Sequence, residues 1–314
     1  MQRSSWLGWL LALWLPALGA STAPAPQRAV WIWEQESYAM VESAAAADRA
    51  FDFLRRHDVG TLYLYADAWR GRNLIVDAPG AYRDFIARAH RKGFQVYALL
   101  GSADLRTEEY VLPERRKQAM AMLQRVLDYN AAAGAATRFD GVNYDIEPHL
   151  LDAWDTRKSE LLHEYVDLTA AFMAAKRASG QTLVIGPAMP FWYDGTQVTW
   201  KGRTRPMSEH IIDLCDYVAL MDYRNQAEGR DGIIAHAANE MRHAADVGKK
   251  VVIGLELGPS EPSKVTFRHL READLARAID QTTRAYRDSP AFAGFVLHHY
   301  QRYVEWVDAQ RAPD

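Results

Sequence analysis

Residues 139–148 read FDGVNYDIEP and set Asn143, Asp145 and Glu147 at every second position, with Val142, Tyr144 and Ile146 between them. A period of two is the pattern of a β-strand, whose side chains alternate between its faces. Three polar groups, two of them carboxyls, therefore share one face. Side chains two apart on a strand stand about 6–7 Å from each other, close enough for each carboxylate to disfavour ionisation of the other. Cleavage of a glycosidic bond needs such an arrangement, because the acid that protonates the leaving oxygen must hold its proton near neutral pH. Glu147 is last on the strand and longest in reach, so it is the expected acid. Asp145, deeper in, is the expected modulator.

Those residues need a scaffold, and the rest of the chain supplies its pattern. Apolar, β-branched and aromatic runs fall at 29–34, 60–67, 94–101, 141–148, 182–190, 216–223, 250–257 and 294–300. Between them lie stretches with apolar residues three or four apart, such as Tyr82, Phe85, Ile86 and Ala89, or Leu161, Leu162, Tyr165 and Leu168. Pro113 and Pro206 stand near helix starts, and Gly60, Gly93, Gly134, Gly180 and Gly248 follow helical stretches. Eight strands alternating with helices predict a single-domain α/β fold, the (β/α)8 TIM barrel. The rival, a doubly wound open sheet, would show a glycine-rich turn after the first strand, where this chain has WIWEQESY.

Barrel function collects at the C-terminal strand ends. That rule nominates Glu34, Asp67, Asn143, Asp145, Glu147, Met221, Tyr223, Glu256, His298 and Tyr300, with Trp192 in the loop after the fifth strand. Val142, Tyr144 and Ile146 suit the layer under the helices, so the polar row points into the barrel. Two carboxyls there cost several kcal/mol each unless partnered, which argues for a catalytic use.

FDGVNYDIE resembles the fourth-strand motif of the glycoside hydrolase family 18 chitinase-like barrels, through Asp140, Gly141, Asn143, Asp145 and Glu147. ALMDYR resembles that family's sixth-strand Met-x-Tyr, through Met221 and Tyr223. The resemblance implies retaining, substrate-assisted hydrolysis, in which the substrate's 2-acetamido oxygen attacks the anomeric carbon. Glu147 would be the acid and then the base, Asp145 would steady the acetamido group, and Tyr223 would hydrogen-bond its oxygen. Arg224 stands where chitinases often have Asp, and the eighth strand has His298, His299 and Tyr300 where a Trp is common. These departures widen the substrate from chitin to other N-acetylhexosamine polymers, peptidoglycan included. One alternative is a double-displacement glycosidase with Glu147 as acid/base and Glu256 as nucleophile, about 5 Å apart. Another is a non-catalytic chitinase-like carbohydrate-binding protein.

Residues 1–23, with Arg3 and then an apolar run from Trp6 to Leu18, read as a secretory signal peptide, residues 24–28 as a leader, and 29–314 as the barrel. The run is short for a membrane span. A secreted or periplasmic location is therefore expected, with an uncleaved anchor as the alternative. The net charge of −3 gives no footprint for nucleic acid or an acidic membrane surface, so the expected partner is a carbohydrate polymer. The single Cys215 forms no internal disulfide and suits a packing role. Neither a metal nor a cofactor is expected: His298 and His299 would face opposite ways on a strand.

Overall fold

The computed structural model describes residues 27–311. The signal segment and leader positions 24–26 lie outside the described residues. Among the described residues ten strands form: β1 (Arg28–Ile32), β2 (Val59–Tyr65), β3 (Gln95–Leu100), β4 (Gly141–Tyr144), β5 (Val184–Pro190), β6 (Gln197–Trp200), β7 (Arg203–Pro206), β8 (Tyr217–Met221), β9 (Lys250–Glu256) and β10 (Phe292–His298). Eight of them close a parallel barrel in the order β1-β10-β9-β8-β5-β4-β3-β2, the expected (β/α)8 architecture. No described helix is long and apolar enough to cross a membrane.

The helices form where the spacing placed them. The helix Pro79–Arg91 begins on its proline, buries Tyr82, Phe85, Ile86 and Ala89, and carries Arg88, His90 and Arg91 in its last turn, where cations favour the dipole. Burying each of its large apolar side chains contributes about 2 kcal/mol. The helix Ala44–Arg56 is capped by the Ser43 hydroxyl, which accepts from Ala46 N at 3.3 Å.

Two features depart from expectation. β6 and β7 make an antiparallel hairpin between β5 and the helix Met207–Leu214. Its turn is Lys201-Gly202, both at positive φ. A lysine in that position is not among the Asn-Gly or Asp-Gly signals by which such turns are read, so the segment looked like a loop. β4 also ends at Tyr144 instead of running to Pro148. One more ladder bond, Asp145 N to Leu100 O at 2.6 Å, carries the alternation past the strand's end.

The two faces of each strand pack separately. Val142, Tyr144 and Ile146 join the large layer between sheet and helices, where Tyr144 Oη lies 3.0 Å from Thr169 Oγ1 and 3.7 Å from Cys215 Sγ. The interior holds Trp31, Tyr63 and Tyr217 with small residues such as Ala29, Ala188 and Ala219. Tyr63 and Tyr97 stack at 5.4 Å, and Tyr97 meets Tyr217 edge-on at 5.8 Å. Rings this large fit only because facing positions are empty. A Cβ on Gly141 would lie 2.8 Å from the Tyr97 ring, and one on Gly186 would lie 2.1 Å from the Tyr217 carbonyl oxygen.

Asp140, matched to the family motif, lies at the opposite end from the strand tops. Its Oδ2 accepts from Val96 N at 2.8 Å and pairs with His90 Nε2 at 2.9 Å. Asp216 repeats the device before β8, accepting from Ile185 N at 2.7 Å and from Lys176 Nζ at 2.5 Å. Both tie neighbouring strands together at their starts.

Gly186→Ala is expected to cost at least about 2 kcal/mol, because backbone must move to admit the methyl. Gly60→Ala, with no heavy atom within 4 Å of the new Cβ, is expected to be neutral or mildly stabilising. Thermal unfolding of the two variants checks this, with a fall of roughly 5 °C or more expected for the first alone.

Candidate active site

The C-terminal ends of β1, β3, β4 and β10 surround a cleft of about 280 Å³. Asp145, Glu147 and His298 line it, together with Trp33 and Glu34 after β1 and Ser102 after β3. A short 3-10 turn, Thr107–Val111, adds Thr107 and Glu108.

Asn143 is the lowest member of the polar row and is fully buried. Its Oδ1 accepts from Trp31 Nε1 at 2.8 Å, and its Nδ2 donates to the Gly186 carbonyl at 3.1 Å. Both ends of the amide are thus engaged inside the barrel, so Asn143 anchors the row and does not reach the cleft. Above it, Asp145 has a buried Oδ1 with no hydrogen-bond partner among the described residues. Burial, and then the charge of Glu147, hold the Asp145 carboxyl well above its ordinary pKa. Glu147 is also raised, chiefly by burial and with some opposition from His298. The backbone beside the pair is as constrained as the pair itself. Gly101 has φ of +125°, and a Cβ there would lie 2.1 Å from the Asp145 carbonyl oxygen, so only glycine fits.

His149 Nε2 lies 3.5 Å from Glu147 Oε1. Burial lowers the His149 pKa, so its neutral form is favoured and does not pull the Glu147 proton away. His149 also packs edge-on against Trp154 and Trp192, at 6.1 and 5.4 Å. Trp192 therefore stands in an aromatic wall one side chain removed from Glu147. Tyr223 is pushed well above its ordinary pKa by burial and then by the charges of Glu256, Asp145 and Glu147, so it remains a hydroxyl donor. It stacks on His298 at 5.8 Å, and Met221 packs below against the interior cluster.

His298 joins β10 to its neighbours. The Trp33 indole N–H donates to His298 Nε2 at 3.2 Å. An indole can only donate, so Nε2 accepts and the ring proton is on Nδ1, 2.7 Å from Glu256 Oε2. Gly258 N donates to the other oxygen, Glu256 Oε1, at 2.5 Å. Burial acts to raise the Glu256 pKa, but the hydrogen bonds from His298 and the Gly258 amide outweigh it, and the net shift is downward. The double-displacement alternative needs a Glu256 oxygen free to attack a sugar. Here both are held by the protein and the residue is only 6% exposed, so Glu256 positions His298.

Two expected site residues lie elsewhere. Asp67 is buried, with Oδ1 accepting from Ala68 N at 2.8 Å and from Asn73 Nδ2 at 3.2 Å and forming an ion pair with Arg125. Its charge is spent locally, on the loop after β2 and on Arg125 of the helix Arg116–Ala132. Tyr300 starts the helix Tyr300–Arg311 and meets Phe53 edge-on at 6.0 Å, which is outside the barrel. The chain leaves β10 through a cis His298–His299 peptide.

The structure adds Trp33, Ser102, Thr107, Glu108 and His149 to the candidates. Trp33 was within reach of the sequence, since the alternation in AVWIWE puts it on the face of Trp31. Asp222 was also missed. It is fully buried, faces His236 Nδ1 at 3.2 Å, and is raised to about 6 by burial against the pull of His236. As the residue between Met221 and Tyr223 it points the other way, toward the helices.

No protein-family model matches the chain, and no curated protein sequence does. Solved structures do. A class V chitinase mutant from the plant Cycas revoluta, in complex with (GlcNAc)3, superposes with a TM-score of 0.51 at 12% identity, over 88% of this chain and 96% of the other. The class V chitinase of Nicotiana tobaccum superposes with a TM-score of 0.51 at 13% identity, over 90% and 96%. A point mutant of that tobacco enzyme, in complex with NAG4, gives 0.50 at 12%, over 90% and 97%. The fold is thus that of the family 18 chitinase barrels, as FDGVNYDIE and ALMDYR implied.

A carboxyl with a raised folded-state pKa binds more protons folded than unfolded, so stability falls as pH rises from the ordinary carboxyl range through the raised value. Asp145→Asn is therefore expected to raise the melting temperature at neutral pH and to flatten its decline between mildly acidic and neutral pH. Melting curves across that range check it, and an unchanged slope would place the cause elsewhere.

Proposed function

We propose that the protein is an exported retaining glycoside hydrolase acting on N-acetylhexosamine polymers by substrate-assisted catalysis. The observation that carries this is the pair Asp145 and Glu147, two positions apart just past the end of β4 and both lining the cleft, with both carboxyl pKa values raised. The chitinase-type fold supports it, and so do the neighbours solved with GlcNAc oligomers. The apolar run at residues 6–18 supports export.

In this reading Glu147 holds its proton because it is half-buried, and gives it to the glycosidic oxygen as the bond to the anomeric carbon breaks. The acetamido oxygen of the same sugar attacks that carbon, forming a cyclic oxazolinium. Asp145 faces the acetamido N–H and steadies the acetamido group as it gains positive charge. The Tyr223 hydroxyl donates to the acetamido oxygen and aims it. Water then opens the ring from the face the leaving group left, with Glu147 taking its proton, and the anomeric configuration is retained. No enzyme nucleophile is required, in keeping with Glu256 being held by His298 and Gly258.

The test is hydrolysis of length-matched GlcNAc and glucosamine oligomers, with products followed by mass spectrometry and their anomers by NMR. Cleavage next to an acetamido sugar with retention is expected, and none of the fully de-N-acetylated series. Glu147→Gln is expected to lower kcat by at least ~10²-fold. Cutting of sugars without an acetamido group, or an inverted product, would sink the mechanism. Because Glu147 must start protonated, the rate is expected to fall as pH rises through its raised pKa.

A further inference from the structure

A second concave site lies at the other end of the barrel, where the strands begin. A (β/α)8 interior is ordinarily closed by layers of bulky branched side chains. Here the residues around the strand starts include Ala29, Thr61 and Ala293, which are small. The Tyr97 ring takes the space at Gly141, where a Cβ would lie 2.8 Å from it. What is left is a cavity of about 140 Å³ walled by Ala29, Val252, Tyr63, Tyr97 and Tyr217. An engineered apolar cavity of about 150 Å³ takes up benzene, so the space suits a single six-membered ring. Its walls suit one too. Tyr63 and Tyr97 stack with 24° between their planes, and Tyr217 meets Tyr97 at 70°. Such walls accept a further ring in offset or edge-on contact.

The mouth of the cavity carries a cation that the protein leaves unpaired. Lys250 opens β9 two positions before Val252, on the same inward face. Its Nζ donates to the Pro290 carbonyl at 2.6 Å and meets no carboxylate within ion-pair range among the described residues. An ammonium has three donors, so two remain available. Arg28 also borders the cavity, but its Nη1 is turned to the His57 carbonyl at 3.1 Å. The Tyr97 hydroxyl makes no hydrogen bond among the described residues. Burial, and then the charges of Asp140 and Asp216, push its pKa up to about 12 and keep it a donor. Those two carboxylates are themselves paired, Asp140 with His90 at 2.9 Å and Asp216 with Lys176 at 2.5 Å. Asp216 also alternates with the inward Tyr217, so it points away from the cavity.

We propose that this end of the barrel binds a small aromatic carboxylic acid, its ring against Tyr63, Tyr97 and Tyr217 and its carboxylate at the Lys250 ammonium. The ring matches the walls, and the carboxylate is the counter-charge that Lys250 lacks. The level of Trp31 and Asn143 separates this site from Asp145 and Glu147, and the proposal does not rest on the hydrolase reading.

The test is calorimetric titration of the full chain with benzoate, benzyl alcohol and acetate, repeated on Lys250→Met and Ala29→Leu. Benzoate is expected to bind with a Kd on the order of 0.1–1 mM, more tightly than benzyl alcohol, and acetate is expected not to bind. Lys250→Met is expected to weaken benzoate roughly tenfold and to leave benzyl alcohol unchanged. Ala29→Leu, which fills the space, is expected to abolish binding of both. Lys250 is exposed, so its variant retains the fold, and melting curves check both variants. Should Ala29→Leu unfold, Lys250→Met decides alone. Absence of benzoate binding overturns the proposal. Equal affinity for benzyl alcohol does so as well, because the site would then take neutral rings. Benzoate affinity unchanged by Lys250→Met overturns it too.

Discussion

The interior of the barrel changes character at Asn143, and the site depends on that change. Below it the barrel is filled by Trp31, Tyr63, Tyr97 and Tyr217. Above it stand two carboxyls. A polar amide between an aromatic floor and an acidic mouth must satisfy both its ends without water. Asn143 does so by accepting from Trp31 and donating to the Gly186 carbonyl. β1, β4 and β5 are thereby locked at one level, and Asp145 and Glu147 inherit their positions from it. A slip of one residue in β4 would put Tyr144 inside and both carboxyls under the helices.

The aromatic floor works with the glycines that face it. Gly141 and Gly186 make room for Tyr97 and Tyr217, and Gly101 lets the chain pass close to Asp145. Small residues opposite the rings let them pack inside the barrel, and below them a cavity of about 140 Å³ opens among Ala29, Tyr63, Tyr97, Tyr217 and Val252. Burial above this aromatic floor raises the pKa of a carboxyl. Burial is the first cause of the upward shift at both Asp145 and Glu147.

The carboxyls around the barrel's upper end are treated differently according to their neighbours. Glu256 is kept ionised by His298 and the Gly258 amide and spends its charge on orientation. Asp67 is tied up by Arg125 and Asn73. Among the described residues the Asp145 Oδ1 has no hydrogen-bond partner and Glu147 faces His149 only at 3.5 Å, and both carboxyls hold their protons more tightly. Which acids are held ionised and which keep their protons follows from which of them has a donor within reach.

Much of this was legible in the chain. Eight short apolar, β-branched and aromatic runs separated by helical spacing predicted a parallel barrel, because parallel strands need a crossover and a helix is the usual one. The alternation in FDGVNYDIEP determined that Asn143, Asp145 and Glu147 share the inner face, since that is a local property of extended backbone. Other properties needed the closed barrel. Asp67 and Glu256 look like free acids at strand ends until Arg125, 58 positions away, and His298, 42 positions away, are brought beside them. Asn143 looks like a ligand group until Trp31 arrives from 112 positions away. Glu108 and Ser102 carry no signal of their own and join the cleft only because a short turn after β3 folds over it. A side chain's face is set by its immediate neighbours in sequence, whereas its hydrogen-bond partner, and hence its charge and its use, is set by residues that only the fold makes neighbours.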